Sequence, residues 1–170
     1  MANNTTDPRA RRHQYGGTGI IALDKMAHTF FKRDSDFRKL GRWSSMTFRG
    51  KGNTITRVVS CYCPVKPSEF HEGSVYHQHV KALQLVGIHR CLREQFWIDL
   101  NSCIDQWQTD NETLIITGDF NHYIRVCNEK LAGKGLVEFI TATHGLSEAP
   151  ATHQSGPIDG ISYQRSLRRI

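Results

Sequence analysis

No apolar run in this chain approaches the roughly 20 residues that cross a bilayer, so no membrane span is expected. The opening segment MANNTTDPRARRHQY lacks the apolar core of a secretory signal, which argues against export. It also lacks glutamate, and Asp7 is its one acidic residue. Cysteine is present in an odd number, five, which does not close a disulfide framework. Cys61 and Cys63 form a C-x-C pair, but no second close pair follows to complete a zinc site. They lie on one side of a predicted strand and are expected to pack as small buried hydrophobes, in a reduced, intracellular setting. The glycine pair Gly16–Gly17 is followed by neither a Walker lysine–serine pair nor a GxGxxG spacing, which excludes a nucleotide loop of either kind. There is no internal repeat and no low-complexity tract.

What is present fits one globular domain. At 170 residues the chain can bury a sizeable core, and 38% hydrophobic against 22% charged residues separates it from disordered sequences. Residues 1–15 read as a polar, basic, disordered extension and residues 16–170 as the domain. The excess of 22 Lys and Arg over 16 Asp and Glu, +6 in all, suits a polyanionic partner such as nucleic acid. Part of that excess sits near the termini, at Arg9, Arg11, Arg12, Arg165, Arg168 and Arg169.

Thr18–Leu23 reads as a short strand after a glycine-rich entry. Arg42–Phe48 and Ile55–Tyr62 read as strands joined by a glycine- and asparagine-containing hairpin loop. Ser74–Val86 carries helical spacing at Val75, Val80, Leu83 and Val86. In Cys91–Trp107, Leu92, Phe96, Leu100, Cys103 and Trp107 recur at steps of three and four, the stripe of a core-facing helix. Leu136–Thr143 reads as a short helix capped by Gly145. Strands alternating with helices define an α/β layered domain.

The most informative stretch is Thr113–Asn121, TLIITGDFN. A β-branched run ends abruptly at Gly118, as buried strands do when turn residues bound them. On an extended chain Asp119 and Asn121 would point one way and Phe120 the other. A carboxylate beside a carboxamide at a sheet rim can position a water, a metal-bound oxygen or a phosphate. Gly-Asp-x-Asn is equally ordinary turn chemistry. His122 invites assignment as a base, but continued alternation turns it away from Asn121. His71, His77, His79 and His89 read as scattered surface residues rather than a metal cluster. Arg42, Arg49, Lys51 and Arg57 form either a basic strip facing phosphates or a solvated face.

Four segments in order, GGTGII (16–21), ITRVVSCYCP (55–64), GDFN (118–121) and PIDGI (157–161), resemble the endonuclease/exonuclease/phosphatase superfamily, the DNase I-like metal-dependent phosphodiesterases. The resemblance implies a four-layer α/β sandwich, a magnesium cofactor and a phosphodiester substrate. It implies that Asp119 orients and activates the attacking water while Asn121 holds that aspartate and the phosphate. Tyr62 matches a position that touches the phosphate or supports the site. Asp159 matches an aspartate that pairs with a histidine of the last strand. Tyr62 fits a strand tyrosine packed on the sheet equally well, and Asp159 fits a loop aspartate.

Two departures stand against the match. The family's asparagine and magnesium-binding glutamate precede the GGTGI-like segment, and the residues before Gly16 contain no glutamate. The family's closing aspartate–histidine strand has no counterpart, since no histidine follows His153. The expectation is a partial domain without its N-terminal strands and last strand. Its function would be that of a nuclease-like phosphodiesterase, truncated or inactive, similar to members found in retroelement-like reading frames. The alternative is a non-catalytic, basic nucleic-acid-binding remnant of the same fold. Inositol polyphosphate phosphatases and sphingomyelinases share the superfamily, and no residue here excludes their substrates.

Overall fold

The computed structural model describes residues 2–3, 17–69, 73–138 and 159–164. The extension expected over residues 1–15 therefore lies, apart from residues 2–3, outside the described residues, as do His71 and residues 139–145 of the expected helix and cap. In chain order the elements are β1 (Ala2–Asn3), β2 (Gly19–Ile20), α1 (Asp24–Thr29), β3 (Phe30–Ser35), β4 (Trp43–Arg49), β5 (Ile55–Tyr62), α2 (Val75–Leu85), α3 (Leu92–Thr109), β6 (Thr113–Asp119), α4 (Ile124–Ala132), β7 (Leu136–Glu138) and β8 (Asp159–Gln164).

Six strands form one mixed sheet in the order β3-β4-β5-β6-β8-β7, while β1 and β2 pair as a separate ribbon. All neighbours in the large sheet are antiparallel except β5 and β6. A parallel pair cannot be joined by a hairpin and needs a crossover, which α2 and α3 supply. Strand β5 alternates Arg57, Val59 and Cys61 inward, and β6 does the same with Leu114 and Ile116. That face, with Trp43, packs on Phe96, Trp97, Leu100, Ile104 and Trp107 of α3 and on Cys127 and Leu131 of α4. Each large side chain buried in this way contributes roughly 1.5–3 kcal/mol. On the opposite face Met46 and Phe48 meet Ile20, Ala22, Phe30 and Val58. The α/β class is as expected; the described residues supply one large sheet with helices on one face.

Several expectations change. Leu136–Glu138 is strand β7, not the start of a helix, because its backbone pairs with β8 at Leu136–Gln164 through Glu138–Ser162. Leu-Val-Glu is too short to carry an intrinsic period strong enough to resist that pairing. The expected strand Thr18–Leu23 shrinks to two residues, leaving Ile21 and Leu23 each 69% exposed. Arg42 and Arg57 are neither a phosphate-facing strip nor a solvated face, since both are 0% exposed. Arg42 forks onto Asp36 at 2.7 and 2.9 Å and reaches Asp99 at 2.9 Å. Arg38 clamps the same Asp99 at 2.6 and 2.9 Å. Arg57 grips Glu112 with two nitrogens and reaches Asp34 at 2.8 Å and Ser45 at 2.7 Å. Burial opposes both guanidinium charges, and the carboxylates outweigh it, holding both pKa values above the ordinary arginine value. His79 is likewise buried rather than on the surface.

Candidate active site at the end of the parallel pair

Because β5 and β6 are parallel, their C-terminal ends share one edge of the sheet, the place where open α/β sheets bind ligands. Tyr62 ends β5 and Asp119 ends β6, in register with each other. Asp119 is also in register with Asp159, the first residue of the antiparallel strand β8. The backbones of Tyr62, Asp119 and Asp159 thus form a row across three neighbouring strands, each about 4.8 Å apart. The side chain of Asp159, and hence its expected histidine partner, lies outside the described residues.

Gly118 fixes how β6 reaches this edge. Its φ is 147°, and a Cβ there would stand 2.0 Å from the Cys61 carbonyl oxygen. Only glycine permits both that backbone and that approach. The strand stops at Asp119, so simple alternation does not carry Asn121 to the aspartate's side as expected. A turn does so instead. The Asn121 N–H donates to Asp119 Oδ1 at 3.0 Å, and Asn121 Nδ2 donates to the Cys63 carbonyl at 2.9 Å. The Cys63 N–H donates to the Asp119 carbonyl at 3.0 Å. Asn121 holds the left-handed conformation, φ 48°, which asparagine tolerates better than most residues. The turn chemistry of GDFN and its placement at the rim are therefore one arrangement. Phe120 points into the core, 1% exposed, stacked on Trp97 at 5.6 Å.

Tyr62 is partly exposed, and its N–H donates to the Arg42 carbonyl at 2.7 Å. Burial and the nearby Asp119 carboxylate push its hydroxyl pKa up, so at neutral pH it is a neutral donor. His122 is pushed down to about 4 by burial, Arg93 and Lys130. Its Nε2 accepts from Arg93 Nε at 3.0 Å, which leaves a neutral, engaged ring unsuited to act as a base at neutral pH. Burial drives the thiols of Cys63 and Cys127 up to about 12, so they pack as inert apolar groups, not nucleophiles. Among the described residues no three His, Cys, Asp or Glu side chains converge to hold a metal ion. Among the described residues no such cluster is at hand for the magnesium implied by the resemblance.

Arg93 has no counterpart in the sequence reading. It lies in the first turn of α3, where a cation opposes the helix dipole. That unfavourable placement was the available signal. Besides His122, its guanidinium donates to the Asn121 carbonyl.

No family model matches the sequence, and no curated protein matches it. Among solved structures the chain is similar to the human Nocturnin catalytic domain with bound sulfate anion, at 15% identity and a TM-score of 0.53. The match covers 80% of this chain and 48% of the Nocturnin chain, so the protein spans about half the length of that domain. The described core thus shares its fold with the human Nocturnin catalytic domain.

Proposed function

We propose that the protein is a nuclease-type phosphodiesterase domain whose working edge is the row Tyr62, Asp119 and Asp159 with Asn121 beside it. The observation that carries this reading is the meeting of Tyr62, Asp119 and Asn121 at one sheet edge, although Tyr62 and Asp119 are far apart in sequence. Asp119 would orient a water opposite the leaving oxygen, Asn121 would hold the aspartate's turn, and Tyr62 would donate to a phosphate oxygen. Alignment of this kind is a large part of what phosphodiester cleavage needs. The bound sulfate of the similar Nocturnin domain is an oxyanion of related shape. Nucleic acid is the preferred substrate on charge. The reading includes the four-layer sandwich, whose second sheet would cover the face bearing Met46, Phe48 and Val58.

The test is nicking of supercoiled plasmid by the purified chain, with Asp119→Ala alongside and magnesium varied. Cleavage lost by at least about a hundredfold in Asp119→Ala supports the reading. Equal cleavage by both proteins ends it. A second reading, a basic binding domain without catalysis, draws on the lack of a three-residue metal cluster among the described residues. It predicts binding that weakens steeply with salt and ignores chelators.

A further inference from the structure

We infer that Arg93 is the positioning residue of this edge: its guanidinium fastens the turn carrying Asn121 and His122 to the first turn of α3. The inference rests on the proposed reading only for its catalytic consequence; the fastening itself is a statement about structure. Helix α3 and the turn after β6 meet at this one side chain. It projects from the first turn of α3, donates to the carbonyl of Asn121 and donates to His122 Nε2 at 3.0 Å. Cys63 is the residue whose carbonyl receives Asn121 Nδ2 and whose N–H reaches the Asp119 carbonyl. The guanidinium therefore ties the Asn121 side of the small ring of bonds that fixes Asp119 and Asn121 to α3.

Two features separate this from an ordinary surface arginine. Its acceptors are a carbonyl and a neutral ring rather than a carboxylate, so an ion pair does not account for its placement. It also opposes the helix dipole, so helix stability does not account for it either. What it does satisfy is the carbonyl of a non-glycine residue in left-handed conformation. Such a backbone persists when its surroundings over-determine it. Trp97 packs edge-on against the His122 ring at 6.0 Å and closes the arrangement from the core side.

The experiment compares wild type, Arg93→Gln, Arg93→Lys and the exposed control Arg90→Gln. In plasmid cleavage, Arg93→Gln should lower kcat by about tenfold to a hundredfold with KM within about twofold, as expected for a displaced catalytic group. Lysine should restore part of the loss, and Arg90→Gln should match wild type. By NMR, the His122 ring should titrate near 4 in wild type and higher in Arg93→Gln, and the Asn121 side-chain amide should shift. An active wild type with kcat unchanged in Arg93→Gln overturns the inference. If wild type does not cleave, the proposed function fails, and the NMR arm still decides: unchanged His122 titration and Asn121 amide in both Arg93 variants overturn the positioning role. Should Arg93→Gln not fold, Arg93→Lys carries the same comparisons.

Discussion

At Gly118 one hydrogen atom in place of a side chain sets the geometry of the whole edge. The residue is in register with Cys61 on β5 and Gly160 on β8, and its φ of 147° is one that side-chain-bearing residues rarely adopt. Replacing it with alanine adds backbone strain to a contact of 2.0 Å with the Cys61 carbonyl. The obstacle is backbone, not a flexible side-chain tip, so relief requires strands β5 and β6 to part. Gly118→Ala should lose about 3 kcal/mol or more in urea unfolding; a loss below about 1 kcal/mol would show that the edge relaxes freely. The sequence displayed this glycine as the end of an apolar run, and its role was legible to that extent. Asn121 was legible as a partner of Asp119 but not by the right route, because alternation says nothing about a turn that folds the amide back onto Cys63. Arg93 was hidden because its acceptors, on Asn121 and His122, are brought to α3 only by tertiary structure.

Elements with a strong period were the easiest to read. The stripe Leu92, Phe96, Leu100 and Trp107 of α3 is buried as its spacing required, and β5 spans the residues its alternation marked. Helix α1 buries no residue, so it had no stripe to show. Strand β3, at the sheet edge, carries Lys32 and Arg33 outward, which protects an edge but erases alternation. Arg42, just ahead of β4, and Arg57 on β5 misled for a related reason. Charge on a strand ordinarily faces water, yet Arg57 crosses from β5 to Glu112 ahead of β6 and Asp34 on β3, over the Trp107 ring at 4.8 Å. Removing one partner of such a pair leaves an uncompensated buried charge. Arg57→Ala should cost about 3–5 kcal/mol, whereas Arg49→Ala, exposed on the same sheet, should stay within about 0.5 kcal/mol. Chemical denaturation of the two variants side by side checks this, and similar losses would mean that Arg57 is hydrated in solution.

Across the whole molecule, the buried titratable groups give stability a definite dependence on pH. Burial and Arg42 lower His79 from 6.5 to about 4, with Asp36 and the Leu40 backbone acting in the opposite sense, while its Nδ1 finds no partner among the described residues. His122 is lowered from 6.5 to about 4 as well, by burial, Arg93 and Lys130. Between those values the unfolded chain binds protons that the folded protein refuses. Stability must therefore fall as pH drops from 6.5 toward 4. Asp99 works in a lower window. Burial raises its pKa, but Arg38, Arg42 and Gln95 outweigh that and hold it below 3.8, so its contribution is complete above 3.8 and is lost on further acidification. The urea midpoint should accordingly be flat between about pH 7 and 8 and decline below 6.5, before any carboxylate of ordinary pKa protonates. His79→Gln should flatten the upper part of the decline and leave the part below 3.8 intact. Equal slopes in wild type and His79→Gln between pH 6.5 and 4 would place the imidazole in water. Its surroundings on α2, 5% exposed in the structure, would then be open to solvent in the native state.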